Sequence, residues 1–88
     1  LSKLNEIPLA EHLTLPDGTV VKKIVLRSPK VRDLKLAQRG GGTEADQEIR
    51  LMASLCEPPM TPEDMEEMGL ADFRKLQAAF QRYLDSPS

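Results

Sequence analysis

The side chains able to do chemistry are few and scattered along this chain. His12 is the single histidine and Cys56 the single cysteine. A thiol beside an imidazole is the raw material of a nucleophile. A zinc centre needs about four N, S or O ligands in tetrahedral array. The two residues fall in different expected elements, and no ligand cluster accompanies either. Cys56 instead shares an apolar helical face with Met52, the pattern of a buried and inert thiol.

Three other groupings invite the same scrutiny. Glu63, Asp64, Glu66 and Glu67 form an acidic run. General acid–base work needs an apolar pocket to separate two carboxylate pKa values, and a calcium loop needs oxygen ligands at alternate positions. The run has neither, and reads as a helix start with a solvated face. Gly40-Gly41-Gly42 is followed by Thr43-Glu44. A phosphate loop closes its glycines with Lys and then Ser or Thr, so a hinge between two helices is the reading here. Arg27, Lys30, Arg32, Lys35 and Arg39 make a basic cluster suited to phosphate or to an acidic partner. Asp33 interrupts it and no aromatic residue interleaves it, so it lacks a stacking platform for single strands. The chain as a whole carries 12 basic and 14 acidic residues, a net charge of −2. General nucleic-acid binders carry the opposite balance.

No catalytic constellation emerges, and neither a cofactor nor a metal is expected. Met60, Met65 and Met68, together with Leu70 and Phe73, are the candidate partner-binding residues. Methionine adapts to varied surfaces and is common where partners differ; it also fills core gaps.

These residues must be held by a small scaffold. Eighty-eight residues allow one domain and one modest core. Phe73, Phe80 and Tyr83 are the only aromatics, so Leu, Ile, Val, Met and Ala must build most of it. A core of this size gains from self-association or from a partner, and a homo-oligomer is one option. With one cysteine there is no disulfide framework, which favours a reducing cytosol. No apolar run is long enough for a membrane span, and no secretory leader is read.

The expected class is α+β: an N-terminal β-hairpin followed by three to four short α-helices in a single small domain over 1–88. Residues 1–8 read as an extended arm, 9–27 as the hairpin, 29–84 as the helical part and 85–88 as a polar tail. Pro16-Asp17-Gly18 is a turn signal between two alternating runs. Val20, Ile24 and Leu26 are expected to share one face, with an irregularity at Lys22. An isolated hairpin is barely stable and has two open edges. Ser28 and Pro29 suit a helix cap and first turn, and Val31, Leu34 and Ala37 its inward stripe. Thr43 and Thr61 cap the next two helices, the second followed by Pro62. Ala45, Ile49, Met52, Leu55 and Cys56 form the apolar face between them. The last helix runs from about Ala71 to Leu84, with Phe73, Leu76, Phe80, Tyr83 and Leu84 inward.

The order of these signals resembles the tail assembly chaperones of Mu-like contractile-tailed phages and prophages. The matching pattern is Leu15-Pro16-Asp17-Gly18, then Leu26-Arg27-Ser28-Pro29 with Asp33-Leu34 one turn on. Thr61-Pro62-Glu63-Asp64 and Leu70-Ala71-Asp72-Phe73 follow. The resemblance runs from about residue 8 to 84; the triple glycine is no part of it. It implies a non-enzymatic helper that binds the tape measure protein and keeps it soluble during tail tube assembly. The tail tube protein is a further implied partner. The implied setting is the host bacterial cytoplasm, with no place in the mature virion. The alternative is a small nucleic-acid-associated regulatory protein of a prophage, working through the basic first helix.

Overall fold

The computed structural model describes residues 6–85. Of the expected arm at 1–8 and tail at 85–88, residues 1–5 and 86–88 lie outside them, whereas 6–8 belong to a strand and Asp85 to a helix. Strand β1 spans Glu6–Thr14 and β2 spans Val20–Leu26, antiparallel to each other. β1 thus begins earlier than the Leu9 expected of the hairpin. The turn between them closes with Gly18 N–H donating to the Leu15 carbonyl at 2.9 Å, and Thr19 N–H donating to Asp17 Oδ1 at 2.9 Å. Pro16 fixes φ at the second turn position, and Gly18 sits at φ 92°.

The two strands keep one register from Glu6 to Pro8 and another from Leu13 to Thr14. Four residues of β1, Leu9 to His12, therefore stand opposite the single residue Lys22. The irregularity expected at Lys22 is a broad bulge carried by the other strand. It changes which residues of β2 face inward. Val21, Ile24 and Leu26 are buried, whereas Val20 is 48% exposed. Ile7, Leu9 and Leu13 complete the buried face from β1.

A third strand, β3 at Cys56–Glu57, pairs antiparallel with β2 through Val25–Glu57 and Leu26–Cys56. Sheet order is β1-β2-β3. One hairpin edge is thereby closed by only two residues, just before the cis Glu57–Pro58 bond. Arg27 N–H extends the pairing to the Leu55 carbonyl at 2.9 Å.

Four α-helices occur among the described residues: α1 at Val31–Arg39, α2 at Glu44–Leu55, α3 at Pro62–Glu66 and α4 at Leu70–Asp85. α1 starts two residues later than Ser28-Pro29 suggests. Its cap is Lys30, whose N–H donates to Asp33 Oδ2 at 2.8 Å; the carboxylate does the work expected of Ser28. Only Asp33 and Ala37 of α1 are buried. Val31 is 81% exposed and Leu34 46%, so the expected inward stripe survives only at Ala37. α2 and α3 begin as expected, each with a reciprocal Thr/Asp cap: Thr43 with Asp46 and Thr61 with Asp64.

The Gly40-Gly41-Gly42 link is a built corner. Gly41 and Gly42 have φ of 72° and 88°. A Cβ on Gly40 would lie 2.6 Å from the Arg50 guanidinium carbon. Arg50 Nε donates to the Ala37 carbonyl at 2.9 Å and its NH2 group to the Gly41 carbonyl. A cation from α2 thus satisfies carbonyls at the end of α1, where the helix dipole is negative.

The core lies between the sheet and the helices. Its fully enclosed side chains include Ile24, Leu26, Met52, Leu55 and Leu76. α2 buries Leu51, Met52, Ala53 and Leu55, while Ala45 of the expected face is exposed. α4 buries Leu76 and Ala79; Phe73, Phe80 and Tyr83 pack half-buried against the core, and Leu84 is 57% exposed. Tyr83 Oη donates to the Leu26 carbonyl at 2.7 Å, fixing the end of α4 to the end of β2.

Candidate functional site

The sequence from Thr61 to Phe73 folds into two helix starts with a sharp step between them. Thr61 and Asp64 cap α3, and Pro62 occupies its first turn. The helix is only five residues long, enough to turn Met65 inward. Its Sδ lies 4.0 Å from Cys56 Sγ. Met68 follows it into the interior, and Phe73 N–H donates to the Gly69 carbonyl at 3.0 Å as α4 begins.

An open groove of about 380 Å³ results, lined by Ile49, Met65, Glu66, Met68, Leu70 and Phe73. Met65 and Met68 are 3% and 8% exposed and form its floor. Leu70 is 66% exposed and stands at its lip, Ile49 and Phe73 are half-buried, and Glu66 is exposed. Four of the five candidate residues thus meet in one place. Met60 does not line the groove; it belongs to the core at 8% exposure. The methionines fill the interior, and the apolar surface on offer is mostly Leu70 with the flanks of Ile49 and Phe73.

α4 is held in place from below by a residue that sequence reasoning passed over. Asp72 is 1% exposed. Its Oδ1 accepts Ala10 N–H at 2.8 Å and its Oδ2 accepts Glu11 N–H at 3.1 Å. Lys75 Nζ lies 3.1 Å from Asp72 Oδ1 and donates to the Pro8 carbonyl at 2.9 Å. Burial works to raise the Asp72 pKa. The two backbone donors and Lys75 outweigh it and hold the carboxyl below its usual range. The same contacts occupy the outer edge of β1 where the bulge exposes its N–H groups, blunting an edge that would otherwise invite pairing.

The basic cluster is divided by the fold. Arg27 forms a two-pronged pair with Asp33, at 2.8 Å and 3.1 Å, and donates to the Ser54 carbonyl at 3.2 Å. The Arg27 hydrogen bonds hold the Asp33 carboxyl below its ordinary value against the opposing effect of burial. Lys30, Arg32, Lys35 and Arg39 remain on the exposed side of α1. The Cys56 thiol is buried, donates to the Met52 carbonyl at 3.2 Å, and is pushed by burial up to about 12. A thiol in that state supplies no thiolate at neutral pH. His12 is exposed on the bulge. No group of three or more His, Cys, Asp or Glu among the described residues is placed to hold a metal ion. No helix among them is long and apolar enough to cross a membrane.

Ile49 and Glu66 were absent from the candidate residues. Ile49 carries the apolar signal of α2, which reads as core, and Glu66 carries only charge. Sequence marks Asp72 only as an acid in the first turn of α4 with Lys75 three residues on, because the backbone groups it holds, Ala10 and Glu11, lie about sixty residues away.

A family model described as phage tail assembly chaperone proteins, E, or 41 or 14, matches residues 6–85. No curated protein and no solved structure matched the chain.

Proposed function

The chain belongs to the phage tail assembly chaperone family, and we propose that it serves that assembly by binding the tape measure protein and keeping it soluble until the tail tube encloses it. The observation that carries this reading is the lip of the groove. Leu70 is two-thirds exposed beside a half-buried Phe73 and Ile49 over a methionine floor. Such a surface suits an amphipathic helix laid across it, with one or two apolar anchors entering the groove. A tape measure protein is expected to present long apolar helical faces, which aggregate when uncovered.

The proposed action is binding without a covalent step. Many copies would cover one tape measure, each weakly enough for arriving tail tube protein to displace it. On this reading the protein works in the host bacterial cytoplasm and leaves before the virion is complete. The test is co-expression with the cognate tape measure protein. The expected result is a soluble tape measure that co-purifies with the chain and is lost with Leu70→Glu. A tape measure whose solubility is indifferent to the chain would overturn the reading. Duplex DNA binding with a steep salt dependence would then favour a regulatory protein acting through α1.

A further inference from the structure

We propose that the α3–α4 groove selects by charge as well as by apolar fit, and takes an amphipathic helix that carries Lys or Arg beside its apolar stripe. This rests on the reading of the groove as the tape measure contact, and it names the chemistry of the segment held there. The apolar part of the groove is made by Leu70, Phe73 and Ile49 over the methionine floor. The charged part is made by α3.

Glu66 lines the groove directly. Glu63 precedes Glu66 and Glu67 at three- and four-residue spacing, so their carboxylates form one ridge. All three are exposed, and none makes an ion pair among the described residues. No Lys or Arg occurs between Arg50 and Arg74. Arg50 is turned away from the groove, to the carbonyls of Ala37 and Gly41. Glu48, next to Ile49, accepts Gln77 Nε2 at 2.9 Å and adds a carboxylate to the α2 side. Arg74 is exposed one turn along α4 from Leu70. The groove is thus acidic along α3 and less so along α4.

Like charges at helical spacing repel one another, and a cation brought by a partner relieves them. Nucleic acid is excluded by the same ridge, and an acidic helix meets Glu66 as soon as its apolar face enters. A neutral helix fits the groove but leaves the ridge unanswered. Lys and Arg are suited to the position beside the stripe. Their stems run along apolar surface while the charged head reaches its rim. Exposed ion pairs add little affinity one by one. The ridge therefore acts on the choice of partner and on the rate of encounter more than on total strength, which keeps each contact weak enough to be displaced.

The test is fluorescence anisotropy of labelled synthetic peptides with the full chain, at about 0.05 M and about 0.5 M salt. The peptides share one length and one Leu stripe at helical spacing. They differ only beside the stripe, which carries Lys, Gln or Glu, residues of similar helix propensity. The expected order is Lys tightest, then Gln, then Glu. The ends should differ by about fivefold or more at low salt, and the gap should close at high salt. Glu66→Lys combined with Glu67→Lys should reverse the order. Both positions are exposed, so thermal unfolding should be unchanged, and that is measured alongside. Leu70→Asn, which removes the apolar lip without adding charge, should weaken all the peptides and keep their order. Equal binding of the peptides overturns the proposal, as does a preference for the Glu peptide. So does an order that survives the double charge reversal, or no binding by any peptide up to about 1 mM. Co-expression scores the tape measure reading separately. A tape measure kept soluble by the chain and lost with Leu70→Glu, beside peptides bound equally, keeps that reading and removes the charge selectivity. An indifferent tape measure beside peptides still ranked by charge keeps the selectivity and assigns the groove to another basic helix.

Discussion

The carboxylate of Asp72 accepts the backbone N–H of Ala10 at 2.8 Å, across 62 residues of chain. The bond joins the start of α4, which carries Leu70 and Phe73, to the bulge in β1. Position of the groove wall and shape of the edge strand are therefore set by one side chain. Asp72→Ala should cost about 1.5–3 kcal/mol in urea unfolding, the range for hydrogen bonds to a charged group. Asp72→Asn, which keeps one acceptor, should cost less. A loss below about 0.5 kcal/mol for the alanine variant would show that water replaces the carboxylate at the bulge without penalty.

Acid should act through the same carboxylates. Asp72 and Asp33 are both held below the usual range in the folded state. A depressed folded value contributes stability that is complete above the unfolded value of about 3.9 and is lost as pH falls through the folded one. Stability should therefore hold from neutral pH down to about pH 4 and decline below it. Chemical denaturation at a series of pH values checks this. The variant Asp33→Asn with Asp72→Asn should be less stable at neutral pH and show a flatter acid decline. An unchanged slope would place the acid sensitivity elsewhere.

Much of this fold can be read from local chemistry. The turn at Pro16-Asp17-Gly18 and the caps at Thr43 and Thr61 each use partners within three residues, so sequence alone announces them. The α+β class and its order of hairpin then helices follow. What is illegible depends on distant partners. Val20 and Val21 are indistinguishable by type, and the bulge that turns Val21 inward is held by Asp72. Strand β3 is two residues long and exists because β2 has an open edge beside it. The α1 stripe failed because Arg27 draws Asp33 inward and rotates Val31 and Leu34 to solvent. At the groove, sequence grouped Met65, Met68, Leu70 and Phe73 with Met60, which the fold sends to the core, and could not separate a floor of Met65 and Met68 from the exposed Leu70.

The corner after α1, expected as a hinge, uses its glycines for particular backbone geometry. Gly41 has φ 72° with open space where a Cβ would go. Gly41→Ala should thus cost about 1–2 kcal/mol from backbone conformation alone. Gly40→Ala meets the Arg50 guanidinium instead and should displace it from the Ala37 carbonyl. Combining Gly40→Ala with Arg50→Ala separates the two effects. If the corner depends on the Arg50 contact, the double variant should be no less stable than Arg50→Ala alone. Thermal unfolding of the set decides it. Equal stability of Gly41→Ala and the parent would return the loop to a plain hinge.

Leu70 and Met65 border the same groove yet should fail in opposite ways. Met65 is 3% exposed and packs on Cys56. Met65→Glu places a carboxylate in the core with no cation supplied, a burial costing several kcal/mol, and in a chain of this size it should unfold the protein. Leu70 is 66% exposed, so Leu70→Glu should change stability by less than about 0.5 kcal/mol. It nevertheless puts a charge where an apolar anchor would sit, beside Glu66. The partner should therefore be lost while the fold is kept. Unfolding curves and co-purification with the tape measure protein, run on the same two variants, separate the outcomes. A folded Leu70→Glu that still retains the tape measure would show that the groove is not the contact. A folded Met65→Glu would show that the floor is mobile enough to turn its side chain to water.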